Sequence, residues 1–115
     1  MEGMRTRTNL VVVAAGAMLP LLAAPVALAR TTTVRLQNVT LSRDAVRIEK
    51  GDTVRWLDED RHTTHTVTSK GRPDFRSSGT LRAGDIHRVR FNRRGRFAYV
   101  CTVHPASMRG EITVV

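Results

Sequence analysis

The sequence predicts an all-β protein, a single antiparallel-rich sandwich of about seven short strands, and three observations predict it. From Thr31 onward apolar and polar residues alternate with a period of two, the pattern of a strand with one face buried. Glycine-bearing turns punctuate the alternating runs, as they do where short strands follow one another. No stretch of this part resembles a long amphipathic helix.

Val34 and Leu36, with Val39, form the inner face of a first strand, and Val46 and Ile48 that of a second. Lys50-Gly51-Asp52 turns the chain by ordinary glycine and aspartate chemistry, and Thr53-Val-Arg-Trp-Leu puts Val54 and Trp56 together on a buried side. The polar run Asp58-Glu-Asp-Arg-His-Thr-Thr reads as a loop, after which His65-Thr-Val-Thr-Ser resumes a strand. An irregular stretch from Lys70 to Gly84 carries Gly71, Pro73, Gly79 and Gly84 as punctuation. Alternation returns from Asp85 to Phe91, with His87, Val89 and Phe91 on one face and arginines on the other. Arg93-Arg94-Gly95-Arg96 reads as a solvated hairpin turn. Phe97, Tyr99 and Cys101 share a face of the next strand, and Glu111-Ile-Thr-Val-Val forms the last.

The chain has 115 residues, enough for one domain. Arg5 and Arg7 precede an apolar run from Leu10 to Leu28 that ends in Ala27-Leu28-Ala29. This is the layout of a secretory signal peptide, so residues 1–29 are expected to be removed after Ala29 and residues 30–115 to form the mature domain. The protein is therefore expected outside the cytoplasm, in a periplasm or an extracellular or cell-envelope space, with no membrane insertion after cleavage. A domain of 86 residues buries only roughly 60–65% of its unfolded surface and gains from an added constraint. No disulfide within the chain can supply one, because Cys101 is the only cysteine. A lone thiol in an exported protein calls for engagement, and coordination to a metal would both occupy it and add to folding stability.

Residues 30–115 hold 17 Lys plus Arg against 9 Asp plus Glu, a net charge of +8, and 15 of the cations are arginine. Such a surface opposes aggregation, and it also suits docking to an acidic protein or an anionic envelope. Nucleic acid is not an expected partner, since there is neither a recognition helix nor a stacking-aromatic motif.

The chemistry gathers in Tyr99-Val-Cys-Thr-Val-His-Pro-Ala-Ser-Met-Arg-Gly110. A thiol (Cys101), an imidazole (His104) and a thioether (Met108) fall within eight residues, and together they suit a soft or borderline metal, copper foremost. Pro105 and Gly110 argue for a loop that turns them toward one point. A trigonal copper site with a weak axial thioether needs a second imidazole. His62, His65 and His87 are the candidates. His65 opens a strand where a side chain can reach across a sheet end, His87 reads as a half-buried sheet histidine, and His62 as a solvent-facing neighbour.

The ordered set His65-Thr-Val-Thr-Ser, Ser78-Gly79-Thr-Leu-x-x-Gly84 and Gly95-x-Phe-x-Tyr-x-Cys101-Thr-x-His104-Pro, with Met108 and Gly110, resembles the small type 1 (blue) copper proteins, cupredoxins of the plastocyanin, pseudoazurin and amicyanin group. The resemblance covers about residues 31–115. It implies a Greek-key sandwich that binds one copper ion, cycling between Cu(I) and Cu(II), through His65, Cys101 and His104 with Met108 as weak axial ligand. It also implies a monomeric one-electron carrier without catalytic activity, serving a redox protein partner through His104 as the electron port; copper storage or delivery is the alternative on the same fold. Two positions depart from the family pattern. Three residues separate His104 from Met108, where amicyanin-like loops have two and plastocyanin-like loops four. Thr66 stands where an asparagine often follows the first histidine, so Thr66 and Thr102 are expected to tie the two ligand loops together.

Overall fold

A computed structural model describes residues 28–115, together with residues 3, 15–17 and 20. The signal-peptide reading of residues 1–29 therefore lies largely outside the described residues. Among the described residues no helix is long and apolar enough to cross a membrane.

The described residues form ten strands in chain order: β1 (Thr31–Gln37), β2 (Thr40–Leu41), β3 (Ala45–Ile48), β4 (Thr53–Asp58), β5 (His65–Thr66), β6 (Thr68–Lys70), β7 (Thr80–Leu81), β8 (Ile86–Arg90), β9 (Gly95–Val100) and β10 (Arg109–Val114). They form two four-stranded sheets, β2-β1-β4-β8 and β3-β10-β9-β6, and a two-stranded pair, β5-β7. Pairing is mostly antiparallel, with β1 beside β4 and β3 beside β10 as the parallel exceptions. The all-β sandwich agrees with the sequence. The number of strands exceeds seven because β2, β5 and β7 are two-residue pieces, too short to show any period.

Val39 does not continue the first strand. It sits with Asn38 in a two-residue turn at positive φ, 58° and 52° respectively, and Gln37 pairs with Thr40 across it. Valine is an unusual residue there, since its branched Cβ crowds the left-handed backbone. The turn is held in part from outside: the Val39 N–H donates to the Asp60 carboxylate at 3.3 Å.

The alternating residues pack as their spacing predicts. Val34, Leu36, Val54 and Trp56 from one sheet meet Val46, Phe97, Tyr99 and Ile112 from the other, all buried. Trp56 is the centre of this core, stacked on Phe75 with ring centroids 5.6 Å apart and met edge-on by Tyr99 at 5.4 Å. Gly110 faces Tyr99 across β9 and β10, and a Cβ at that position would overlap the Tyr99 ring. The absence of a side chain at 110 thus lets the ring lie over the strand that leaves the terminal loop.

Candidate metal centre

The inward face of β9 runs Phe97, Tyr99 and then Cys101, the first residue beyond the strand. Backbone bonds then close the loop back to β10. His104 N–H donates to the Cys101 carbonyl at 3.2 Å, Met108 N–H to the His104 carbonyl at 3.0 Å, and Cys101 N–H to the Met108 carbonyl at 2.9 Å. The loop is therefore a tight knot tied through the three residues singled out from the sequence. Met108 is fully buried within it.

His65 arrives from the other side. It opens β5, where pairing with Leu81 of β7 fixes its backbone, and its side chain is fully buried. The donor atoms of His65, Cys101 and His104 lie within 4.8 Å of one another, and each Nδ1 is 3.8 Å from the Cys101 Sγ. Nitrogen and sulfur bonds of about 2.1 and 2.3 Å meeting at about 120° would separate their outer atoms by about 3.8 Å. Two imidazoles and one thiol at this spacing, with a buried methionine on the same loop, fit a trigonal copper site with an axial thioether.

The surroundings prepare the thiol and hold the rings. Burial pushes the Cys101 thiol up, but the Thr66 N–H at 3.4 Å and the two imidazoles outweigh it and bring the pKa down to about 7. This lowering favours the thiolate, the form that binds metal. The Thr66 and Thr102 hydroxyls lie 3.0 Å apart, and the Thr102 N–H donates to the Thr66 oxygen at 2.9 Å. The tie expected between the two loops is present.

Asp60 and Asp58 were not recognisable in the sequence as part of this centre. Asp60 is buried, and its carboxylate lies 3.0 Å from His65 Nε2. The opposite ring nitrogen is left to face the thiol. The His62 N–H, the His65 ring and the Val39 N–H hold the Asp60 carboxyl below its ordinary range against the effect of burial. Asp58 accepts the Asp60 N–H at 2.8 Å through one oxygen, while its other oxygen is buried without a partner, and burial pushes this carboxyl up. Burial alone would lower the His65 pKa; Cys101 and the two aspartates reverse that and raise it. The one sequence signal for Asp60 is local, an Asp-x-His spacing in which its carboxylate accepts the His62 N–H at 3.0 Å.

The remaining histidines stand apart. His62 is exposed. His87 is buried against Trp56 and donates from Nε2 to the Arg76 carbonyl at 2.7 Å, a sheet histidine with a structural partner. His104 is half-exposed; its chain neighbours Val103, at 45% exposure, Pro105 and Ala106 are exposed too, and the exposed Arg109 donates to the Pro105 carbonyl at 2.6 Å.

Comparison with known proteins agrees with this chemistry. A sequence profile of copper-binding proteins of the plastocyanin/azurin family matches residues 29–115. Amicyanin-alpha of Methylorubrum extorquens is 31% identical over 103 residues, which span 88% of this chain and 83% of that protein. Among solved structures, a purple cupredoxin from Nitrosopumilus maritimus superposes with a TM-score of 0.65 at 23% identity, over 73% of this chain and 99% of its own. Amicyanin from Paracoccus versutus gives 0.64 at 24% identity, over 74% and 81%. A copper-containing nitrite reductase from Thermus scotoductus also shares the fold, at 24% identity and a TM-score of 0.67 over 74% of this chain, but only 22% of that much longer chain is matched. With the profile spanning every strand and His65, Cys101 and His104 gathered at one point, the chain belongs to the plastocyanin/azurin family of copper-binding proteins, and copper is its cofactor.

Proposed function

We propose that this protein is an exported, monomeric one-electron carrier without catalytic activity, in which His65, Cys101, His104 and Met108 hold one copper ion. The observation that carries the reading is the enclosure of the donor set: His65, Cys101 and Met108 are buried, and only the His104 ring reaches the surface. Copper, when bound, supplies a couple between Cu(I) and Cu(II). The protein's part is to keep the donors in place through both states. The backbone bonds of the terminal loop fix Cys101, His104 and Met108 relative to one another. Asp60 fixes the His65 ring, and the Thr66–Thr102 tie joins the two loops. Orienting contacts of this kind hold ligands against rearrangement and tune the metal. His104, half-exposed beside the apolar Val103, Pro105 and Ala106, is the port through which a partner is reached.

The partner is read as an acidic redox protein. Of the described arginines and lysines only Arg35 has a carboxylate within ion-pair distance, that of Glu59, and three of the nine carboxylates of residues 30–115 are buried. The outer face of the β2-β1-β4-β8 sheet sets Arg55 opposite Arg88 and Thr53 opposite Arg90. Unneutralised arginines steer an acidic partner and raise its association rate in a salt-dependent way.

Voltammetry of the copper-loaded protein tests the carrier reading against copper storage or delivery. A reversible one-electron wave that persists through many cycles in the presence of a Cu(I) chelator is expected. Loss of the wave with transfer of copper to the chelator on reduction would favour delivery.

A further inference from the structure

Asp52 is a buried carboxylate that no cation touches, although the Arg30 side chain is near enough to favour its charged form. It is 7% exposed and accepts two backbone N–H groups, that of Arg30 at 2.9 Å on one oxygen and that of Glu49 at 2.9 Å on the other. Among the described residues no Lys, Arg or His nitrogen lies within ion-pair distance of it. Its backbone is equally committed. The Asp52 N–H donates to the Glu49 carbonyl at 3.0 Å, and the Asp52 carbonyl accepts from Phe91 at 2.9 Å. Both bonds fix the carboxylate at the start of β4, beside the point where β1 begins. A buried carboxylate satisfied only by neutral donors is incompletely compensated, and a positive charge at one of those donors would add to its stabilisation.

One of the two donors is the nitrogen that signal removal would free. The chain becomes ordered sheet immediately after it: the Arg30 carbonyl accepts from Thr53 N–H at 2.9 Å, and Thr31 pairs with Thr53. Before it, Ala29 and Leu28 are exposed, Leu28 at 83%. The fold thus holds Arg30 and leaves the preceding residues free of the core.

We propose that Asp52 is a clamp for the processed N-terminus: hydrolysis of the Ala29–Arg30 bond by a signal endopeptidase turns the Arg30 nitrogen from an amide into an ammonium that pairs with the Asp52 carboxylate. Water adds across the peptide bond, the C–N bond breaks, Ala29 keeps the new carboxylate and Arg30 the new amine, which is protonated at neutral pH. The inference rests on the expected cleavage after Ala29. Arg47, Glu49 and the C-terminal Val115 line the same hollow; Glu49 would attract the new ammonium and Arg47 oppose it. Asp52 differs from them in touching the nitrogen. Processing would then do more than release the domain, because it would supply a counter-charge in direct contact and lock the first strand to the fourth.

The test compares copper-loaded chains that begin at Arg30 with chains that retain Ala29, each with Asp52 and with Asp52→Asn. Intact mass of the exported protein is expected to place its first residue at Arg30. Retaining Ala29 is expected to raise the unfolding equilibrium constant about tenfold, the difference between a charge-assisted and a neutral hydrogen bond, and Asp52→Asn is expected to erase that difference. Should Asp52→Asn not fold, Nα-acetylation of the Arg30 chain, which removes the charge alone, is expected to cost the same factor. An exported protein beginning elsewhere would overturn the cleavage on which the inference rests. Equal stability of the acetylated and free Arg30 chains, or an Ala29 effect that survives Asp52→Asn, would overturn the clamp and leave the cleavage standing.

Discussion

Asp60 shows how a residue outside the donor set can govern it. Its carboxylate receives the His65 ring at 3.0 Å and is itself held by the N–H groups of Val39 and His62. It therefore selects the tautomer that leaves Nδ1 free for metal. Asp60→Asn keeps the shape and removes the charge, and a contact of this kind typically carries 10–100-fold in metal affinity. Competition against a copper chelator is expected to show about that loss; an unchanged affinity would reduce Asp60 to a loop residue. The convergence of His65, Cys101 and His104 was legible in the sequence, because thiol, imidazole and thioether seldom fall so close together and their order matched a known pattern. Asp60 was not. Aspartates are common in polar loops, and only the folded turn from Asp58 to His62 brings this one under His65.

Strands were legible where apolar residues alternate over at least four positions, as in β1, β3, β4, β8 and β9. The hairpin at Asn38 and Val39 was not, since valine signals strand and the positive φ it adopts is imposed by strand pairing and by Asp60. Gly110 belongs to this scale as well. A Cβ there would meet the Tyr99 ring, so Gly110→Ala is expected to destabilise the apo-protein by about 1–3 kcal/mol, the usual effect of overpacking. Thermal unfolding measures it, and wild-type stability would mean that the ring can move aside. The start of β4 adds a pH dependence. The N–H groups of Arg30 and Glu49 hold the Asp52 carboxyl below its ordinary value of 3.8. A depressed carboxyl contributes stability that is present above its unfolded pKa and lost as pH falls through the lower folded value. Acid unfolding below about pH 4 is therefore expected to become shallower in Asp52→Asn, and an identical acid limb would contradict this.

Across the whole molecule, charge is placed at a cost to the fold. Arg55 and Arg88 face each other across β4 and β8, and like charges directly opposite in a sheet are unfavourable by up to about 1 kcal/mol. Arg88→Glu would turn that pair into an attractive one. It is expected to raise the unfolding midpoint while slowing electron transfer to an acidic redox protein, and wild-type transfer is expected to slow as ionic strength rises. Transfer rates indifferent to both changes would leave the arginines a role in solubility alone. The excess of arginine is plain in the sequence, whereas the pairing of Arg55 with Arg88 depends on strand order, which alternation alone does not reveal.

The most direct measurement is the visible absorption and electron paramagnetic resonance of the purified domain after addition of Cu(II), beside Cys101→Ser, His65→Ala and His62→Ala. The parent is expected to develop an intense thiolate-to-copper charge-transfer band that Cys101→Ser abolishes, His65→Ala removes or grossly alters, and His62→Ala leaves in place. A parent protein without such a band, or a band that survives His65→Ala and vanishes with His62→Ala, would contradict the site built from His65, Cys101, His104 and Met108.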